Sequence, residues 1–198
     1  MSKTFFISDT HFHHCNILKY EPMRAHELAK YLINKGFLGT EEEVFDYIME
    51  VVNIRNDRLE YILTQHDNML IEAWNKIVHK NDIVWHLGDF CLQDRNIAAE
   101  VCNRLNGHLR LIRGNHDNWS DDFYRSIGFE YVSKYPIIVK NKFILSHMPL
   151  NISNSSFFYI YGHVHSNEMF ITKTINSQCV CCERSLFAPV EIQEFNNE

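Results

Sequence analysis

Five short polar motifs follow one another along this chain, each at the end of an apolar run that reads as a buried β-strand. Asp9-Thr10-His11 follows Lys3–Ser8, and Gly88-Asp89 follows Ile83–Leu87. Gly114-Asn115-His116-Asp117 comes after Leu109–Ile112, an isolated His147 after Lys142–Ser146, and Gly162-His163-Val164-His165 after Phe157–Tyr161. Carboxylate and amide oxygens and imidazole nitrogens are ligands for Mn, Fe, Zn or Mg rather than for soft metals. Three carboxylates (Asp9, Asp89, Asp117), one amide and five histidines exceed what one tetrahedral site takes. They suit a two-metal site with a catalytic histidine beside it.

The ordered set D-x-H, G-D, G-N-H-D, H and G-H-x-H resembles that of the calcineurin-like metallophosphoesterases. The likeness runs from Lys3 to about Pro189 with one large insertion, and every motif is present without substitution. Ser8-Asp9-Thr10-His11-Phe12, Trp74-Asn75 and His86-Leu87-Gly88-Asp89-Phe90 look like a small bacterial and phage branch of that family. The resemblance implies an α/β fold, a four-layer α/β/β/α sandwich. It also implies two divalent ions, Mn foremost, with Fe, Zn, Ni or Co as alternatives. Asp9, His11 and His165 would hold one ion, Asn115, His147 and His163 the other, and Asp89 would bridge them. His116 corresponds to the family's catalytic histidine, with Asp117 expected to orient its ring. The implied reaction is hydrolysis of a phosphomonoester or phosphodiester by a metal-bridging hydroxide.

Three further residues are candidates for contact with substrate. His14 adjoins the first motif, Arg113 precedes the third, and Asn75 is a candidate pocket wall, as is Tyr20. A structural salt bridge is the competing role for Arg113. His86 reads as a buried support for the site, while His26, His66 and His79 fall on helical patterns and read as surface or core residues. Phe12, Trp85 and Trp119 read as packing.

Between the first and second motifs the pattern is helical. Ala25–Asn34 reads as a short helix stopped by Gly36 and Gly39. Thr40 followed by Glu41, Glu42 and Glu43 is a helix start. Val44, Phe45, Ile48, Val51 and Val52 then recur at helical spacing, a break is expected within Asn53–Asp57, and another helix covers about Arg58–Val78. In the branch this chain resembles, the first motif lies much closer to Trp74-Asn75. Residues 23–65 therefore read as an inserted helical cap on a single domain spanning 1–198, the alternative being helices docked on the core. Further helices are expected at about Asn96–Leu105 and Asp121–Ile127. Strands are expected near Tyr131–Lys134, Ile137–Val139, Glu168–Thr172 and Ser177–Cys182, with a turn at Asn141.

The 198 residues suit one domain with one core, and 45% hydrophobic with 22% charged residues is ordinary globular composition. A net charge of −6 excludes a general pull towards nucleic acid or anionic lipid. Bound divalent ions would reverse that sign locally where a phosphate must bind. No apolar run approaches the roughly 18 residues that span a bilayer, and no leader precedes the first strand, so a cytoplasmic protein is expected. Its six cysteines are then expected as free thiols, and Cys179, Cys181 and Cys182 lack a second ligand pair at zinc-finger spacing. The expected partner is a phosphoester, a nucleotide among the options, and a homodimer is compatible with the pattern. A nuclease or cyclic-nucleotide phosphodiesterase with the same site is the alternative enzyme. A non-catalytic metal-stabilised scaffold is disfavoured by the intact motifs.

Overall fold

The computed structural model describes residues 2–92, 94–151 and 156–196. In chain order the first elements are β1 (Thr4–Ile7), α1 (Ile17–Tyr20), α2 (Pro22–Asn34), α3 (Glu41–Ile54), α4 (Leu59–Ile77), β2 (Ile83–His86), α5 (Arg95–Arg104) and β3 (His108–Ile112). Then come α6 (Asp121–Ser126), β4 (Phe129–Ser133), β5 (Ile137–Val139), β6 (Phe143–Leu145), β7 (Phe158–Tyr161) and β8 (Ser177–Cys179). A 3-10 turn (Cys182–Arg184), β9 (Val190–Glu191) and α7 (Gln193–Asn196) follow.

Two sheets form, ordered β4-β3-β2-β1-β9 and β5-β6-β7-β8. The first four strands run parallel, so their C-terminal ends share one edge. Alternation along each strand divides the core. Phe5, Ile7, Val84 and Leu111 pack towards the helices, whereas Phe6, Trp85, Phe143, Leu145 and Ile160 fill the space between the sheets. Beyond the end of β1 the sheets are stitched together: Ser8 N–H donates to the Val180 carbonyl (2.8 Å) and Val180 N–H to that of Tyr161 (2.8 Å). The result is the mixed α/β fold expected, with two sheets face to face and helices outside. Its outermost layer is thin: Val164 and Phe170, from a segment without a helix, pack with Tyr159 and Tyr161 on the second sheet. That segment contains the expected strand Glu168–Thr172, which does not form; only Lys173 makes an isolated bridge, to Gln178. The turn at Asn141 does form, with Lys140 and Asn141 at φ +50° and +52°, the left-handed pair of a tight hairpin.

The helices of residues 23–65 belong to the main core. Ala25, Leu28 and Leu32 of α2, Val44, Ile48 and Val52 of α3, and Ile62 of α4 are fully buried in the cluster that contains Phe5 and Ile7. Thr40 caps α3 as expected: Glu43 N–H donates to Thr40 Oγ1 (3.3 Å), and Thr40 N–H donates to Glu43 Oε2 (2.8 Å). A detached cap would show its apolar stripe to solvent or to a partner, and this stripe is buried, α2 packing on α3 and both on α4, in the cluster that reaches Phe5 and Ile7. The segment gives the site one wall, through Arg55, Leu59, Glu60 and Leu63 beside His14, and a buried arginine, Arg24, against the first motif.

Candidate metal centre

The loops leaving β1 and β2 run side by side. Asp9 N–H donates to the Gly88 carbonyl (2.9 Å), His11 N–H to that of Asp89 (3.0 Å) and Phe12 N–H to that of Phe90 (2.9 Å). Asp9, His11, Asp89, His163 and His165 all take left-handed backbone, at φ 57°, 49°, 57°, 73° and 46°. Residues with a Cβ seldom do so, at a cost of roughly 1–2 kcal/mol each, and such strain collects at functional sites. Two glycines are required for lack of space: a Cβ on Gly114 would lie 2.1 Å from Asp89 Oδ1, and one on Gly162 would lie 2.2 Å from Ser8 Oγ.

The donor atoms fall into two adjoining groups that meet at Asp9, one with His11 and His165 and the other with Asp89 and His147. In the first, Asp9, His11 and His165 present ligand atoms within 4.8 Å of one another. Asp9 Oδ1 lies 3.6 Å from His165 Nε2, and neither it nor either ring nitrogen of His11 has a hydrogen-bond partner. The other Asp9 oxygen is occupied, accepting from His163 N–H (2.9 Å) and the Cys181 thiol (3.3 Å). In the second group, His147 Nδ1 donates to the Leu87 carbonyl (2.8 Å), which leaves Nε2 with a lone pair. That Nε2 faces Asn115 Oδ1 at 2.9 Å, His163 Nδ1 at 3.2 Å and Asp89 Oδ2 at 3.5 Å. Acceptor atoms converge there with no donor hydrogen between Asn115, His147 and Asp89, an arrangement that a cation resolves.

Electrostatics agree. Burial is the main reason that the Asp89 carboxyl is pushed up to about 7, with His147 pulling down and Asp9 pushing up further. Burial likewise holds His11 well below the usual imidazole range. Buried donors without partners in the first group, and acceptors facing one another in the second, fit divalent ions.

Asp117 has a different task from the one expected. Its Oδ2 accepts from the N–H groups of Asp89 (2.7 Å) and Gly114 (2.8 Å), and its Oδ1 from Phe90 N–H (3.1 Å) and the Tyr124 hydroxyl (3.2 Å). Both oxygens are spent on locking the second and third motif loops together, so Asp117 does not orient the His116 ring. Asp117→Ala strands three N–H groups. It is expected to destabilise the protein by about 3 kcal/mol or more in urea unfolding. His116 is exposed at the mouth, its ring centroid 5.7 Å from that of His11, and its backbone N–H donates to Asp89 Oδ1 (2.9 Å).

Two of the three substrate candidates prove structural. Arg113 donates through Nε and Nη2 to the Asp117 carbonyl (3.0 and 2.6 Å) and through Nη1 to Asp121 Oδ1 (2.8 Å), so its fork is used within the loop. Asn75 donates to the Arg104 carbonyl (2.8 Å) and accepts from Asn106 N–H (2.8 Å), tying α4 to the turn before β3. Tyr20 is 70% exposed. His14 remains near the centre, its ring 5.5 Å from His11 and its Nδ1 buried without a partner; burial lowers it to about 4. His13 is fastened to Asp67 through Nδ1 (2.9 Å). His86 is a buried brace: its Nδ1 accepts from Gly88 N–H (3.2 Å) and its Nε2 meets Thr10 Oγ1 (2.9 Å). His66, read as surface or satisfied core, is buried with neither ring nitrogen hydrogen-bonded; nothing in the structure explains it.

Sequence reasoning missed Arg24 and Glu183. Both side chains are fully buried, and Arg24 Nε donates to Glu183 Oε1 (2.7 Å) while His165 Nδ1 lies 3.1 Å from the same oxygen. Burial pushes Glu183 up, but Arg24 and His165 pull it down to about 2. A signal existed for Arg24: it stands on the buried stripe of α2 with Leu28 and Leu32, where a charge is out of place unless paired.

The profile of the calcineurin-like phosphoesterases matches residues 2–183. The chain is 30% identical over 202 residues to the uncharacterized protein MJ1445 of Methanocaldococcus jannaschii, covering 97% of this chain and 88% of that protein. It is 32% identical over 97 residues to the gene 66 protein of Mycobacterium phage L5, covering 43% and 44% respectively. The crystal structure of AQ665 from Aquifex aeolicus, a protein of unknown function, shares the fold with a TM-score of 0.63 at 22% identity, covering 100% of this chain and 99% of that one. Motifs at strand ends, a donor set suited to divalent ions and a match over most of the length converge: the chain belongs to the calcineurin-like phosphoesterase family.

Proposed function

We propose that the chain hydrolyses phosphoesters at a dinuclear centre, with Asp9, His11 and His165 holding one ion and Asn115, His147 and His163 the other. The observation that carries this reading is the place of Asp89. Its Oδ2 lies 3.6 Å from His11 Nε2 and 3.5 Å from His147 Nε2, between the two groups, while its Oδ1 is taken by His116 N–H. One carboxylate oxygen is thereby available to both ions. Two bound divalent ions supply positive charge for the phosphoryl oxygens and acidify a water nucleophile.

The remaining work falls to the chain. His116, exposed beside His11, stands where it can hydrogen-bond a phosphoryl oxygen or give a proton to the leaving oxygen. A cavity of about 500 Å³ adjoins Asn115 and His147, with Asn118, Lys134, Met148 and Leu150 on its other walls. Its size and mixed lining suit the organic part of a phosphomonoester or phosphodiester. A second cavity, of about 490 Å³, opens on the His14 side.

Chelator-stripped protein is expected to lose hydrolysis of an aryl phosphate and recover it with Mn, binding two ions per chain at saturation by plasma mass spectrometry. Full activity in the stripped protein, or saturation below two ions, removes the reading.

A further inference from the structure

We propose that Arg24 and Glu183 form a buried positioning pair that sets the affinity of the ion held by Asp9, His11 and His165, and of that ion only. This rests on the dinuclear reading above. The two ligands that the pair handles come from opposite ends of the chain. Glu183 Oε1 takes the Nδ1–H of His165 (3.1 Å), which fixes the tautomer and turns the Nε2 lone pair towards Asp9 Oδ1, 3.6 Å away. The same Glu183 oxygen accepts from Arg24 Nε (2.7 Å). The other two nitrogens of that guanidinium grip the first motif directly: Nη1 donates to the Thr10 carbonyl (2.8 Å) and Nη2 to the Asp9 carbonyl (2.5 Å). One planar fork thus registers the backbone of Asp9 against the carboxylate that aims His165. A lysine, with a single nitrogen, has no such reach.

The pair is placed to act rather than merely to stabilise. A fully buried ion pair contributes little net stability compared with apolar residues of the same size. Here both partners are sealed from solvent, and every polar atom of Arg24 is spent on the first motif or on the carboxylate behind His165. Among the described residues the second group of donors has no counterpart: His147 is aimed by the neutral carbonyl of Leu87. A charge-assisted contact therefore bears on one ion, and a neutral one on the other. Arg24 also brings α2, which lies within residues 23–65, into the metal centre.

The test uses the full-length protein in two variants, Glu183→Gln, which keeps the shape and removes the charge, and Arg24→Met with Glu183→Leu, which removes both charges together. Loss of a partner behind a ligating histidine typically weakens metal binding about 10–100-fold. The first ion is expected to weaken by that factor in chelator competition, while the second keeps its wild-type affinity. In Mn-loaded samples the paramagnetic resonance signal of a coupled pair should give way to that of an isolated ion. The metal-free double variant should fold but unfold at a lower temperature than wild type, because the Asp9 and Thr10 carbonyls lose their donors. Two ions bound at wild-type affinity in both variants overturns the proposal, as does equal weakening of both ions. If Glu183→Gln fails to fold, the double variant decides alone. If the wild-type protein takes up a single ion, the dinuclear reading fails instead. The pair is then judged by whether its removal weakens that one ion.

Discussion

Asp89→Ala is expected to yield a folded protein that retains neither ion and has only the activity of the chelated wild type. The loss should exceed the roughly 10²–10³-fold that follows removal of a single electrostatic contact, because on the proposed reading one Asp89 oxygen, 3.6 Å from His11 Nε2 and 3.5 Å from His147 Nε2, serves both ions. Folding should survive for a physical reason. Burial already pushes the metal-free Asp89 carboxyl up to about 7, so without cations this side chain is a burden on its surroundings. Among the described residues, its carboxylate forfeits the hydrogen bond from His116 N–H (2.9 Å) alone, in a partly exposed loop. Metal content by plasma mass spectrometry and thermal unfolding of the apo forms check both halves. Wild-type stoichiometry in the variant rules out a shared role for Asp89.

His116→Ala should show the opposite profile. Both ions remain, since the ring lies outside the two donor clusters, and kcat falls by roughly 10²–10⁴-fold. If the ring protonates the leaving oxygen, the deficit should shrink for substrates with acidic leaving groups, such as a nitrophenyl ester, and grow for an alkyl ester. A deficit independent of the leaving group assigns His116 to charge stabilisation of the phosphoryl oxygens instead. Loss of metal in this variant makes His116 a ligand and sinks both alternatives.

Much of this site is visible in the sequence because strand alternation exposes it. A run such as Lys3–Ser8 must end where apolar residues give way to Asp9 and His11, and parallel strands bring such endings to one edge. Helix starts were legible where the chemistry is local, as at Thr40 and Glu43. What stayed hidden depends on which way a side chain turns at a bend. Asp117 adjoins His116 in the chain, yet its oxygens turn back to three backbone N–H groups, and sequence order carries no trace of that choice. Asn75 was misplaced for the same reason: an amide beside a buried Trp74 serves a pocket or a loop equally well until its partners are known. Arg24 and Glu183 are separated by 159 residues, so no periodicity links them. The helices of 23–65 share their amphipathic pattern with any helix that covers something, and only the packing shows that their stripes are buried in the main core.

The stitching of β1 to residues 180–182 bears on the order of events during synthesis. Asp9 and His11 are made well before the groups that complete their surroundings. His163 N–H and the Cys181 thiol occupy Asp9 Oδ2, and Glu183 sets His165. A nascent chain still lacking that stretch offers a passing cation only fragments of a binding site. If Asp9, His11 and His165 hold the first ion, that ion is acquired only after residue 165 is made, and a product cut short before residue 163 retains most of the first sheet while lacking His165. On the dinuclear reading, the site for the first ion would therefore close only once both distant stretches of the chain have been made.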